Sequence, residues 1–123
     1  MQHDTTPTTV FVYGSLMRGL PLHGALADGK YLGRAELHGF CLYDLGPYPG
    51  IRRRPGEGVV LGELYEVTAE TLSRLDSIEG EGYLYRRTRV DTLDACGQLR
   101  DADTYVYLGS DGSPLPSGTR WGS

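Results

Sequence analysis

Very little in this 123-residue sequence suits metal or disulfide chemistry: it has two cysteines, Cys41 and Cys96, and three histidines, His3, His23 and His38. The cysteines lie far apart and the histidines lack ligand spacing, which excludes a zinc motif and a disulfide framework of the small secreted kind. Reduced, cytosolic thiols are the reading that remains. Positive charge is scarce as well. The net charge is −4 and the one basic run is Arg52-Arg53-Arg54, whereas a nucleic-acid surface needs a positive stripe. No nucleic-acid partner is expected. Long hydrophobic runs are also missing: no apolar stretch approaches the roughly 20 residues of a spanning helix. Met1 to Thr9 is polar, without the basic start and apolar run of a signal peptide. A soluble, cytoplasmic protein with no membrane partner is therefore expected. The length suits a single domain, 1–123, and is too short for a cofactor domain plus a substrate domain.

Glycine and proline, in contrast, are abundant. Eighteen glycines and seven prolines divide the chain into short runs rich in Val, Leu, Tyr and Thr, the composition of strands. Strands are expected over Thr9 to Tyr13, Ala35 to Tyr43 and Val59 to Val67, the last two separated by a Gly/Pro/Arg-rich loop from Gly46 to Gly58. The period then changes. Thr68 is placed to cap a helix with its hydroxyl, Glu70 suits the positive first turn, and Gly80 supplies a stop, which predicts a helix over Ala69 to Glu79. A weaker helical turn is expected at Leu22 to Ala27. Tyr85 to Leu93 and Leu99 to Leu108 flank Asp94 to Gln98 and read as an antiparallel hairpin. The ordered core then spans about 9–108, and 109–123 is an irregular tail docked by Trp121. The expected fold class is α+β: a small mixed, mostly antiparallel β-barrel with one or two short helices.

Three features carry chemistry. Glu79 falls between Leu72 and Leu75 on one stripe of the helix, an acid aimed where a hydrocarbon belongs. Burial, the nearby Asp76 and the helix C-terminus would each raise its pKa toward that of a general base. The alternatives are a salt bridge to Arg86 or Arg87, or a helix that ends a turn earlier and leaves Glu79 exposed. Tyr13-Gly14-Ser15-Leu16 stands where a β-run meets a glycine turn, whose successive N–H groups make an anion-binding concavity; an ordinary turn is the alternative. Tyr85, Tyr105 and Tyr107 sit on the late strands, Tyr105 and Tyr107 on one face, able to line a pocket or simply to pack a core. Arg52 to Arg54 reads as a solvated loop or as a contact for an anionic substrate group, and Glu63 is an alternative acid on a strand.

In order along the chain stand Val10-Phe11-Val12-Tyr13-Gly14-Ser15-Leu16, Leu42-Tyr43-Asp44-Leu45-Gly46-Pro47-Tyr48-Pro49-Gly50 and Gly62-Glu63-Leu64-Tyr65-Glu66-Val67. Leu75-Asp76-Ser77-Ile78-Glu79-Gly80 and Tyr85-Arg86-Arg87 complete the series. The set resembles the γ-glutamylcyclotransferase-like family, which includes γ-glutamylamine cyclotransferases, AIG2-like proteins and the butirosin-biosynthesis cyclotransferase. The resemblance runs from Val10 to Leu108. It implies a small mixed β-barrel with a cavity, a small-molecule γ-glutamyl substrate, and neither a metal nor an organic cofactor. It also implies that Tyr13, Gly14, Ser15 and Leu16 bind the γ-glutamyl moiety through backbone N–H groups, that Glu79 is the catalytic acid/base, and that Tyr85 with Tyr105 or Tyr107 lines the pocket. Leu16 stands where the branch acting on γ-glutamyl amino acids has Asn, which tilts the leaving group toward an amine.

The chemistry so implied releases 5-oxoproline: the α-amine of a γ-glutamyl amide attacks its own γ-carbonyl and expels an amine, with Glu79 moving the protons. Two other readings use the same residues. One is a non-catalytic binder of a small carboxylate or amide metabolite. The other is a hydrolase or amidotransferase with Ser15 or Cys41 as nucleophile, although the sequence around Ser15 is not Gly-x-Ser-x-Gly. The sequence leaves the leaving amine and the oligomeric state open.

Overall fold

The computed structural model describes residues 7–14, 16–17, 19, 23–26 and 29–122. Five strands close a barrel in the order β1-β5-β2-β6-β7. They are β1 (Thr8–Val12), β2 (Lys30–His38), β5 (Val59–Val67), β6 (Tyr85–Asp94) and β7 (Leu99–Tyr107). All neighbouring strands run antiparallel except β1 and β7, which are parallel. The mixed, mostly antiparallel barrel expected from the sequence is therefore present.

Three expected segments come out differently, the irregular tail among them. Ala35 to Tyr43 is not one strand, because Gly39, with φ of +84°, turns the chain between β2 and β3 (Phe40–Asp44). The stretch from Gly46 to Gly58 is not all loop: Pro49–Arg53 forms β4, which pairs with β3, and the tail returns as β8 (Ser113–Pro114) on β3's other edge. These three strands make a separate sheet. Its charge is reconciled with its packing by long side chains lying on rings: the Arg52 guanidinium is 3.8 Å from the Tyr43 ring centroid, and that of Arg53 is 5.1 Å from Phe40's. Arginine stems cover apolar surface while their heads reach polar partners, so Arg52 and Arg53 belong to a strand, while Arg54 follows it; Arg53 and Arg54 are exposed. Pro49 opens β4, where no preceding ladder bond needs its missing N–H.

Residues 69–79 form α1 (Ala69–Glu79), as expected. The Thr68 hydroxyl accepts from the Thr71 N–H at 3.2 Å, and Gly80 closes the helix in the left-handed conformation. The Glu81 N–H then returns to the Asp76 carbonyl at 2.9 Å, the longer bond of a Schellman motif. Part of the weak turn expected at Leu22 to Ala27 lies outside the described residues, as does His3; the described part, His23–Leu26, is a 3-10 turn. The late hairpin matches expectation, with the Asp94 carboxylate accepting from the Cys96 and Gln98 N–H groups.

Two apolar cores result. Phe40, Leu42 and Ile51 of the three-stranded sheet share one with the barrel, and Leu75 of α1 and Leu26 of the 3-10 turn share the other. β1 serves both by its period of two: Phe11 faces the first core, Val10 and Val12 the second. Trp121 packs against both, docking the tail. Leu75 is fully buried and holds α1 to the barrel. Leu75→Ala is expected to lower the unfolding free energy by ~2–5 kcal/mol, as for other buried leucines. Exposed Ser73→Ala should change it by less than about 0.5 kcal/mol; urea unfolding of the two variants checks the contrast.

Candidate active site

Where β1 ends, the chain turns at Tyr13 and Gly14 beside the C-terminal end of α1, and a cavity of about 170 Å³ opens between them. It is lined by Tyr13, Gly14 and Leu16 of the turn, by Tyr48 of the β3–β4 connection and Pro49 at the start of β4, by Ile78 and Glu79 of α1, and by Tyr85 and Tyr105 from the barrel. Gly14 is needed because a Cβ there would stand 2.9 Å from Pro49 Cγ. Glycine here permits a close approach of another part of the protein. The Met17 N–H donates to the Gly14 carbonyl at 3.0 Å and closes the turn. No backbone acceptor among the described residues takes the Gly14 or Leu16 N–H, which keeps both available to an anionic group. Ser15 lies outside the described residues.

The three tyrosines around the cavity are held by their own hydroxyls. Tyr13 donates to the Tyr105 carbonyl at 2.5 Å, Tyr85 to the Pro49 carbonyl at 2.6 Å, and Tyr105 to Asp76 Oδ1 at 2.6 Å. Burial pushes all three phenols well above the ordinary tyrosine value, and the nearby Glu79 charge pushes them further. They are neutral hydrogen-bonding groups at any physiological pH. Tyr107 takes a different position from the one its shared face with Tyr105 suggests. Its ring packs on Tyr85 at 5.4 Å between centroids, and its hydroxyl donates to Asp111 at 2.5 Å. It supports Tyr85 from behind and is not among the cavity-lining residues.

Of the candidate acids Glu63, Asp76 and Glu79, Glu79 stands without a partner among the described residues. Among the described residues no hydrogen bond or ion pair reaches its carboxylate, and burial raises its pKa to about 7. The sequence offers three causes for such a rise; burial is the one that the structure supports. Asp76 is turned aside, accepting from Tyr105 and lying 3.0 Å from Arg87 Nε. Arg87, one of the two candidates for a salt bridge to Glu79, pairs with Asp76 and Asp103 instead. Glu63, the alternative acid, is buried elsewhere with Arg120 at 2.6 Å and the Tyr65 hydroxyl at 3.1 Å. Arg52 does not reach into the cavity; it donates to the Gly109 carbonyl at 2.8 Å.

Sequence reasoning missed Tyr48 and Pro49, and also Phe11, Val12, Ile78 and Leu84, as wall residues. The signal for the first two was the proline-flanked aromatic in Pro47-Tyr48-Pro49, an exposed ring on a stiff loop. Nothing in the helix pattern singled out Ile78. Among the described residues no three His, Cys, Asp or Glu side chains stand close enough to hold a metal.

Residues 10–123 match the model of a family described as gamma-glutamyl cyclotransferase, AIG2-like. A Vibrio cholerae protein that carries the name gamma-glutamylcyclotransferase only provisionally is 41% identical over 93 residues, 75% of each chain. The gamma-glutamylcyclotransferase family protein YtfP of Escherichia coli is 36% identical over 68% of this chain and 72% of its own. Among solved structures, an AIG2-like protein from Mus musculus superposes with a TM-score of 0.79 at 29% identity, covering 86% of this chain and 80% of that one.

A carboxylate raised from its ordinary value makes the native state the tighter proton binder between the two pKa values. Stability contributed by this group is therefore lost as pH rises from about 4.5 toward about 7, and the loss is constant above. Glu79→Gln removes that penalty. The variant is expected to exceed the native protein in unfolding free energy by ~1–3 kcal/mol at pH 8, with the gap closing near pH 5; denaturant titrations at the two pH values measure it.

Proposed function

The chain belongs to the gamma-glutamyl cyclotransferase, AIG2-like family, and on that footing we propose that it converts a γ-glutamyl amine into 5-oxoproline and the free amine. The observation that carries this reading is the unpartnered Glu79 carboxyl, with a pKa of about 7, lining the same cavity as the Tyr13–Gly14–Leu16 turn.

A γ-glutamyl amide contains its own nucleophile, so the enzyme supplies conformation, proton transfer and charge stabilisation. The substrate folds until its α-nitrogen reaches the γ-carbonyl carbon, and a C–N bond closes a five-membered ring. Glu79, deprotonated at the start, takes the proton that the attacking nitrogen sheds. The carbonyl oxygen becomes an oxyanion facing the N–H groups of Gly14 and Leu16. The bond to the leaving nitrogen then breaks as Glu79 returns the proton to it. No external nucleophile enters and no proton is gained or lost overall. The neutral phenols of Tyr13, Tyr85 and Tyr105 shape the wall around the glutamyl chain without competing for the proton. Leu16, as the side chain ending the Tyr-Gly-Ser turn, favours an amine leaving group over an amino acid.

Incubation with γ-glutamyl amines, γ-glutamyl amino acids and γ-glutamylated aminoglycosides, with 5-oxoproline as the readout, tests the reaction. Glu79→Gln should lower kcat by about 10²–10⁴ while the protein stays folded. In the native enzyme kcat/KM should fall on the acid side of about pH 7, where Glu79 becomes protonated. Undiminished turnover by Glu79→Gln would remove Glu79 from the mechanism.

A further inference from the structure

The mouth of the cavity has a composition of its own. Tyr48 is 43% exposed, Ile78 41% and Leu84 40%, and all three line the cavity, a concentration of exposed large apolar side chains found nowhere else among the described residues. Tyr83, 76% exposed, stands beside them: its ring and the Leu84 side chain both lie against Gly80, where an added Cβ would come within 3.2 Å of Tyr83 Cζ and 3.0 Å of Leu84 Cδ1. Leu108, also exposed, is tied to the same place by its N–H bond to the Leu84 carbonyl. Isolated exposed hydrophobics need no explanation, but a cluster of them around a cavity mouth marks a contact surface.

Charge complementarity narrows what touches it. Among the described residues lining the cavity, Glu79 is the only ionisable acid and there is no lysine or arginine. Of the arginines on the neighbouring strands, Arg87 is engaged with Asp76 and Asp103, and Arg52 with the Gly109 carbonyl and the Tyr43 ring. A carboxylate carried into this rim would lose water without gaining a cation, and a second ammonium would find no acid apart from the one used for proton transfer. Tyr13 and Leu16 are 6% and 4% exposed, and with Gly14 and Glu79 they suit the polar glutamyl portion, so on the cyclotransferase reading the exposed rim meets what is attached to the γ-nitrogen.

We propose that the rim of Tyr48, Ile78 and Leu84 selects leaving amines with an uncharged apolar body, alkyl or aryl, against amino acids, polyamines and aminoglycosides. This inference rests on the cyclotransferase reading. It makes Tyr48, Ile78 and Leu84 specificity residues that touch the departing group and take no part in proton transfer.

Matched substrate pairs test it, with 5-oxoproline as the common product. γ-Glutamyl-isoamylamide and γ-glutamyl-leucine differ by one carboxylate, and γ-glutamyl-butylamide and γ-glutamyl-putrescine differ at the far end by one ammonium. The apolar member of each pair should have a kcat/KM about tenfold higher or more, because the charged member leaves an unpaired charge in an apolar rim. Leu84→Arg, and separately Tyr48→Arg, should move the first ratio toward γ-glutamyl-leucine. Equal or faster turnover of the charged members would overturn the specificity proposal while leaving the cyclotransferase reading standing, as would a ratio unmoved in both variants. Absence of 5-oxoproline from all four compounds would overturn both.

Discussion

The site depends on how two acids one turn apart at the end of α1 are treated differently. Asp76 receives the Tyr105 hydroxyl at 2.6 Å and lies 3.0 Å from Arg87 Nε, and Arg87 extends the chain to Asp103 at 2.9 Å. Those contacts fasten the last turn of the helix to strands β6 and β7. They also engage the phenol and the guanidinium that would otherwise be available to Glu79. With its neighbours committed, Glu79 is left to its surroundings, and burial alone sets its proton affinity. Environment divides two chemically similar carboxyls into a structural one and one poised near neutrality.

Holding an unpartnered carboxylate against a barrel wall opposes stability, and the helix that carries it is well secured elsewhere. Thr68 caps the first turn, the Schellman bond from Glu81 to Asp76 closes the last, and Leu75 is fully buried between them. Each such cap contributes about 0.5–2 kcal/mol and a buried leucine more, enough to offset a penalty of the size that burial of Glu79 imposes. Local violation of the hydrophobic pattern at Glu79 is therefore compensated by the same helix and its two caps.

That compactness explains what the sequence makes legible. Thr68, Gly80, Leu75 and Glu79 all act within one element, so a period of 3.6 and two capping rules locate the helix and mark Glu79 as anomalous. The β6–β7 hairpin is equally local, its turn written in Asp94 and Gly97. The three-stranded sheet is not, because β4 begins at a proline and carries arginines whose stems lie over Tyr43 and Phe40, a packing that one-dimensional polarity reads as solvent exposure. The parallel seam between β1 and β7 joins Val10 to Asp103, a contact across most of the chain that no local rule reports. The same holds for the site: Glu79 and the Tyr13 turn were visible as pieces, whereas the division of labour between Asp76 and Glu79 needed Tyr105 and Arg87 brought in from distant strands. Alternation correctly placed Tyr105 and Tyr107 on one face, but distance along β7 separates a wall residue from the support behind Tyr85.

On the proposed reaction, burial of Glu79 has a chemical purpose beyond marking the site. The α-amine of a γ-glutamyl group stands beside a free α-carboxylate and is more basic than a peptide N-terminus, so a solvated carboxylate near 4.5 would be a weak base toward it. Raised to about 7, the carboxyl moves closer to the proton affinity of the nitrogen it serves, which eases the transfer. The same group must release that proton to the leaving nitrogen moments later. A salt bridge to Arg86 or Arg87 would have lowered the pKa and left Glu79 a poor base and a poor proton carrier. Diverting Arg87 to Asp76 and Asp103 acts in the same direction as burying Glu79: one takes a cation away from the carboxyl, the other reduces its contact with water, and both favour its protonated form.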